Sequence, residues 1–364
     1  MTGARASASE ALLAWYNANR RDLPWRAKAG EGNDPYRVWL SEIMLQQTTV
    51  AAVARYYRAF LERWPDVAQL AAASQDDVLG AWAGLGYYSR ARNLHRAAQI
   101  VATQFGGSFP TSAIALRKLP GVGAYTAAAV AAIAFGERAA AMDANAERVI
   151  ARLFAVETPL PKARPALAAL AAPLVPEQRP GDFAQALMDL GSLVCVPKRP
   201  FCGECPLAAQ CRGRRLGVAE ELPRKTAERA RPLKRGAAFV ALDPLGAVYL
   251  VRRPQNGLLG GMLQPPLGEW SEAFPKHSVA VEEAPFMGDW VKKSGFVRHG
   301  FTHFQLELEI YVAQFHHRPN GVGAWFSVND LKHAALPTLM RKVISHARDD
   351  SVPLLAQLSS ARTC

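Results

Sequence analysis

Four of the chain's five cysteines fall in one short stretch, spaced Cys195-x6-Cys202-x2-Cys205-x5-Cys211. So short a loop brings its thiolates round one centre rather than scattering them through a core. Soft sulfur ligands suit zinc or an iron–sulfur cluster. Structural zinc sites usually come as two close pairs with a longer gap, which this spacing does not follow. Four protein ligands leave no open coordination position, so on either reading the metal is not catalytic. Pro197, Pro200 and Pro206 stiffen the loop, and Lys198, Arg199, Arg212 and Arg214 give it a basic outer face. A cluster this tight reads as a metal site in a reducing compartment before it reads as disulfides. The fifth cysteine, Cys364, is terminal.

A chain of 364 residues is too long for one compact core, so two domains or more are expected. From Glu10 to about Ala209 helical periodicity recurs over 9–19, 38–60, 75–82, 88–104, 113–118, 124–135, 145–155, 164–172 and 182–194, with glycine and proline turns between. Residues 212–235 then hold nine basic against three acidic residues, half of the net charge of +12. Beyond Arg235 the pattern changes to period two with β-branched and aromatic residues, over 238–242, 247–251, 304–315 and 324–327. The expectation is an all-α domain over 1–215, a basic linker over 216–235 and an α+β domain over 236–364. No apolar run approaches the ~20 residues of a membrane span, and Met1–Glu10 has no hydrophobic leader core. A cytoplasmic protein acting on the nucleoid is expected, and its positive charge favours nucleic acid as partner.

Three further features carry chemistry. Leu119-Pro120-Gly121-Val122-Gly123 lies between two helical segments, at 113–118 and 124–135. Its glycines permit a tight turn that offers backbone N–H groups and a helix N-terminus to a phosphate, although a plain helix–helix turn uses the same residues. Glu42 lies on a narrow polar stripe with Gln46 and Thr49, flanked by Val38, Trp39, Ile43 and Leu45. Apolar surroundings raise a carboxyl pKa and keep a proton available near neutral pH; the other reading is a glutamate in a buried hydrogen-bond network. Asp143 precedes the helix starting near Asn145 and suits an N-cap or an ionised group that stabilises positive charge on a sugar.

The sequence resembles the MutY-type adenine DNA glycosylases of the helix-hairpin-helix, endonuclease III superfamily. Over 10–211 the resemblance rests on Arg21-Asp22-Leu23-Pro24-Trp25-Arg26, on Ser41–Thr48, on Gly84–Leu94, on Met188-Asp189-Leu190-Gly191, on the 113–135 hairpin region and on the 195–211 cysteine loop. Asn256–Met262 and Phe301-Thr302-His303 are similar to the family's Nudix-like domain. The resemblance implies a monofunctional glycosylase that removes adenine mispaired with 8-oxoguanine or guanine in duplex DNA. It also implies a 4Fe-4S cluster on Cys195, Cys202, Cys205 and Cys211, and a monomer is expected. By the same resemblance Glu42 protonates adenine N7 and Asp143 stabilises the oxocarbenium-like sugar, supported by Tyr125 and Asn145. Gln47, Leu85 and Tyr87 would enter the duplex, which fits extrusion of the target nucleotide before chemistry. Leu119, Gly121, Val122 and Gly123 would hold its backbone. Trp25, Arg26 and Gln185 would line the adenine pocket, and Phe301, Thr302 and His303 would probe the opposing 8-oxoguanine.

The sequence also departs from the family. Ala144 stands where a glycine is usual and would be strained if that position needed positive φ. Thr302 replaces a serine and keeps its hydroxyl. Residues 27–33 read as a short insertion. Gly268–Pro285 lacks the Arg-Glu-x-x-Glu-Glu pattern of Nudix hydrolases, which disfavours nucleotide hydrolysis there. An endonuclease III-type glycosylase/lyase would need a lysine amine where Tyr125 stands. A catalytically silent lesion-binding protein would lack an acid, and Glu42 and Asp143 are both present.

Overall fold

The computed structural model describes residues 2–28, 31–226, 230–349, 351 and 354–355. Cys364, residues 29–30 of the expected insertion and residues 227–229 of the basic stretch lie outside the described residues. The chain forms two compact units, one of residues 1–73 and 93–228, the other of 74–92 and 229–364.

Helix starts over 1–215 are written as caps, with residues 74–92 belonging to the second unit. α1 is Thr2–Asn19. Asp34 accepts from the N–H groups of Tyr36 and Arg37, and Pro35 takes the first position of α2 (Pro35–Leu45). The Thr49 hydroxyl accepts from Ala52 N–H and starts α3 (Val50–Arg63). The periodic stretch 38–60 is therefore two helices, not one, because the chain turns at Gln46–Thr49 with Gln47 at φ 57°. Asp66 caps α4 (Val67–Ala72) and Ser74 caps α5 (Gln75–Trp82). After α6 (Ser89–Gln104), Ser112 caps α7 (Ala113–Leu116) and Gly123 precedes α8 (Ala124–Phe135). α9 (Ala144–Phe154), α10 (Arg164–Ala171), α11 (Pro180–Leu193) and α12 (Arg212–Arg215) follow.

α1, α9, α10 and α11 bury Leu12, Tyr16, Ile150, Leu167, Phe183 and Leu190 in one core. Two glycines of α11 set how closely its neighbours pack. A Cβ on Gly181 would lie 2.7 Å from the Ala132 carbonyl oxygen of α8, and one on Gly191 would lie 2.6 Å from Asn145 Cβ on α9. The first part of the basic stretch lies on this unit, where the Leu222 carbonyl accepts from Arg152 and the Arg224 carbonyl from Leu160 N–H.

The second unit holds a mixed sheet of β1 (Leu233–Leu242), β2 (Val248–Arg252), β3 (Leu263–Gln264), β4 (Val291–Lys293), β5 (Val297–Gly300), β6 (Gln305–Gln314), β7 (Ala324–Phe326) and β8 (Leu354–Leu355). Its main path runs β3-β2-β1-β6-β4-β8, with β5 on β6 and β7 on β2. The centre is a parallel pairing of β1 with β6, from Leu233↔Gln305 to Leu242↔Gln314. Alternation sends Ala238 and Val240 to one face, where α15 (Thr338–Arg348) covers them with Leu339, Met340 and Val343. Ala237, Phe239 and Ala241 go to the other face with Tyr311 and Trp290. The short helices α13 (His277–Glu282) and α14 (Asp330–His333) complete the unit. Among the described residues no helix is long and apolar enough to cross a membrane.

Candidate active site

Near the C-terminal end of α2, Glu42 is 4% exposed. α8 packs on α2 and sets Tyr125 against it, so that the Tyr125 hydroxyl donates to Glu42 Oε2 at 2.6 Å. Burial pushes the Glu42 carboxyl up to about 7, against the Tyr125 hydrogen bond; the Asp143 charge adds to the rise and Arg26 opposes it. Burial also holds the Tyr125 phenol well above its ordinary range. One turn further along α2, Gln46 donates to the Thr126 hydroxyl at 3.0 Å and, at 3.4 Å, to the Gly121 carbonyl of the hairpin turn.

Asp143 caps α9 with both oxygens engaged. Oδ1 accepts from Ala146 N–H at 2.7 Å, and Oδ2 accepts from the Asn145 amide at 2.9 Å. Burial raises this carboxyl too, while those bonds and Arg148 hold it back. Ala144 opens α9 as its first residue and is not among the residues at positive φ, so the conditional strain does not arise. Arg148 ties the motif together by donating to Asn145 Oδ1 (2.8 Å) and to the carbonyls of Gly191 (2.6 Å) and Cys195 (2.7 Å).

Trp25, Arg26, Glu42, Gln185 and Met188 share a small cavity of about 40 Å³. Trp25 is held edge-on by Tyr57, with ring centroids 5.6 Å apart. Arg26 forks onto both oxygens of Asp189 at 2.6 and 2.7 Å, and Arg21 shares that carboxylate. Sequence reasoning quoted Asp189 within a motif without giving it work. The available signal was an acid between apolar neighbours on α11, where it has no solvent exposure. Arg148, Gln46 and Met188 were likewise unassigned, because nothing in their spacing announces which carbonyl or hydroxyl they meet.

At the hairpin, Leu119 and Val122 are buried and Gly121 takes φ 77°, where a Cβ would meet Asn93 Cβ at 2.8 Å. Gly123 supplies no side-chain cap, so the first N–H groups of α8 keep no side-chain partner there. In the second unit Leu85 is buried and Tyr87, half exposed at φ 48°, lies with its hydroxyl 3.3 Å from that of Thr302. Phe301 packs between His299 and Phe304, with both centroid distances 4.7 Å, and His303 is exposed. His299 was not singled out from sequence. It lines the same cavity as Tyr87, Phe301, Thr302 and His303.

Cys195, Cys202, Cys205 and Cys211 line one cavity walled by Val194, Pro200, Phe201 and Ala208. Arg152 donates to Cys195 Sγ at 3.3 Å and to the carbonyls of Val196 and Pro197, and Arg214 N–H donates to Cys211 Sγ at 3.4 Å. Four soft donors on one apolar space, with N–H groups aimed at the sulfurs of Cys195 and Cys211, suit a thiolate-held iron–sulfur cluster in chemistry, while among the described residues they are not drawn together into a metal-holding group.

Residues 40–173 match the family model described as HhH-GPD superfamily base excision DNA repair protein, and residues 237–346 match the NUDIX domain model. The chain is 35% identical to the adenine DNA glycosylase of Homo sapiens over 91% of its own length and 72% of that protein's. It is 29% identical to that of Buchnera aphidicola subsp. Baizongia pistaciae (strain Bp), over 92% and 95%. Among solved structures, a thermostable thymine-DNA glycosylase aligns with TM-score 0.53 and 33% identity, covering 58% of this chain and 97% of that one. An endonuclease III–DNA complex aligns with TM-score 0.50 at 21% identity, over 60% of this chain and 98% of that one, a likeness of fold alone. With a helical helix-hairpin-helix unit followed by a Nudix-like one, and with relatives matched over most of their length, this chain belongs to the MutY-type adenine DNA glycosylases, hydrolases of base excision repair.

Proposed function

We propose that Glu42 is the general acid of a monofunctional glycosylase directed at adenine opposite 8-oxoguanine, and also opposite guanine. The observation that carries the reading is a buried carboxyl, hydrogen-bonded by one neutral phenol and pushed up to about 7. Such a group keeps a proton at neutral pH and gives it up readily, as a general acid must. Placed at adenine N7, that proton turns a poor leaving group into a neutral base. As the N-glycosidic bond breaks, positive charge builds on the sugar. Asp143, pinned by Ala146 N–H and Asn145 at the positive end of α9, answers that charge electrostatically or by a transient bond. Water then completes the hydrolysis. Tyr125 occupies the place of a lyase lysine with its hydroxyl committed to Glu42, so no amine stands there to cut the strand.

The remaining assignments follow the same reading. The Leu119–Gly123 turn, with Leu119, Gly121, Val122 and Gly123, holds backbone phosphate on N–H groups. Gln47, Leu85 and Tyr87 support the duplex left by the extruded nucleotide, and Trp25, Arg26 and Gln185 line the adenine pocket. Phe301, Thr302 and His303 read the opposing base, supported by the Tyr87–Thr302 hydroxyl contact. Cys195, Cys202, Cys205 and Cys211 would hold a 4Fe-4S cluster, whose part is structural because every position is taken by sulfur. Sequence domains 1–215 and 236–364, joined by 216–235, would divide excision from recognition.

A strand-cleavage assay on duplexes with adenine opposite 8-oxoguanine, guanine or thymine tests the whole reading. Product should appear only after alkali, fastest opposite 8-oxoguanine and slowest opposite thymine. Strand breaks without alkali, or equal rates on all three, would reject it.

A further inference from the structure

The helical unit has a second cavity beside the one at Glu42. It measures about 450 Å³ and lies between α1, the segment after it and the first turns of α11. Gln185 lines both cavities. Its side chain is held by a single 3.4 Å bond to the Gly181 carbonyl. Tyr16, only 1% exposed, also lines the second cavity, and its hydroxyl is buried with no hydrogen-bond partner. Arg26, which lines the Glu42 side, lies 5.7 Å from the Tyr16 ring centroid. Gln185 and the Arg26–Tyr16 pair are thus the partition between the two spaces.

Size separates their roles. An apolar cavity of about 150 Å³ takes benzene, so about 40 Å³ at Glu42 cannot hold a purine without the wall moving, whereas the second cavity has ample room. Its charges are mixed. Arg20, Lys28 and Arg179 face Glu31 and Asp182, and Arg179 is already bonded to Asp182 at 2.8 Å. A lining that mixes cations and carboxylates suits a flat neutral base bearing both donors and acceptors better than a phosphate chain.

We infer that this second cavity binds free adenine, the base the enzyme liberates, after it passes the Gln185 partition. The carboxylates of Glu31 and Asp182 would accept from the exocyclic amine, and the Arg20 guanidinium would lie against the ring. The base then leaves the chemistry by a route that does not require the DNA to let go first. This inference rests on the reading that Glu42 faces the reacting base.

Equilibrium dialysis of radiolabelled adenine against the cluster-loaded full chain, without DNA, tests it. Saturable binding is expected. Glu31→Gln should weaken it ~3–10-fold, the worth of one hydrogen bond; Glu31 lines the cavity and is exposed, so the fold should tolerate the change. Ala27→Trp, which fills the space, should abolish binding, and Glu42→Gln should leave it unchanged. Absence of binding, binding indifferent to both cavity variants, or binding lost in Glu42→Gln alone would overturn the inference. So would displacement of adenine by equimolar inorganic phosphate, which would mark an anion site. Failure of the underlying reading would show elsewhere, as excision activity surviving in Glu42→Gln.

Discussion

Glu42 in the helical unit and Glu307 in the sheet unit are shielded to the same degree, 4% and 3% exposed, yet their carboxyls move in opposite directions. Glu42 meets one phenol and a second carboxylate, and burial pushes it up to about 7. Glu307 lies across the sheet from Arg235 on β1 and Arg298 on β5, each in register with it. Burial works on Glu307 upward too, but hydrogen bonds from Arg298 and Arg235 outweigh it and hold the carboxyl below its usual range. Asp189, wholly buried, follows Glu307 because Arg26 and Arg21 grip it. Burial alone therefore does not mark a reactive acid. Whether a cation is hydrogen-bonded to the buried acid decides the direction in which its carboxyl moves.

The largest effect should come from Glu42→Gln, which keeps the shape and removes the transferable proton. Single-turnover excision should fall ~10²–10⁴-fold while mispair binding persists. In the unmutated enzyme the rate should decline as pH rises through about 7, where the donating form is lost. The same substitution should stabilise the fold at high pH. A carboxyl whose folded value stands near 7 against an ordinary 4.5 penalises folding once pH exceeds 4.5, fully so above 7. Denaturant midpoints should then favour Glu42→Gln by on the order of 3 kcal/mol at pH 8, and not at pH 4. Equal midpoints at both would mean Glu42 is an ordinary carboxylate.

Asp189→Asn should break the comparison from the other side. It leaves Arg26, whose side chain is 5% exposed, without its counter-charge, and unfolding should become easier by ~3 kcal/mol. Glu307→Gln should cost less, ~1 kcal/mol, because Arg298 and Arg235 reach solvent. Its cost should be present at neutral pH and vanish in acid, since a depressed carboxyl stabilises above its ordinary value and loses that as pH falls through its folded one. Excision should not change; a large loss would tie Glu307 to the chemistry. The smallest effect belongs to Tyr125→Phe. Removing the hydrogen bond that favours ionised Glu42 should move the alkaline limb of the pH–rate profile upward, by less than about one unit. A downward move would mean that the phenol stabilises the protonated acid instead.

How much of this was legible depends on the range of the interaction. The cysteine loop, the hairpin and the stripe around Glu42 are written in residues within a turn or two of each other, and spacing reveals them. The apolar flanks of Glu42 forecast its burial and its raised carboxyl. The break between α2 and α3 was missed because the apolar spacing of 38–60 runs through it, while the Thr49 cap and the backbone at Gln47 decide the geometry. β3, β4, β5 and β8 are too short to show alternation, and α15 was hidden behind the period-two reading of the sheet. Asp189 and Gln46 were opaque for another reason. Their partners lie far along the chain, at Arg26 and Thr126, and only tertiary structure pairs them.

The close approach at Gly191 has a consequence for tolerance to change. A single methyl group there would collide with Asn145, whose amide holds Asp143, and would disturb the carbonyl that anchors Arg148. Nothing at that position carries a charge, donates a proton or faces a base. Yet an alanine in its place should displace Asn145, and with it the hydrogen bond to Asp143. A survey of harmful variants confined to reactive groups would pass over it.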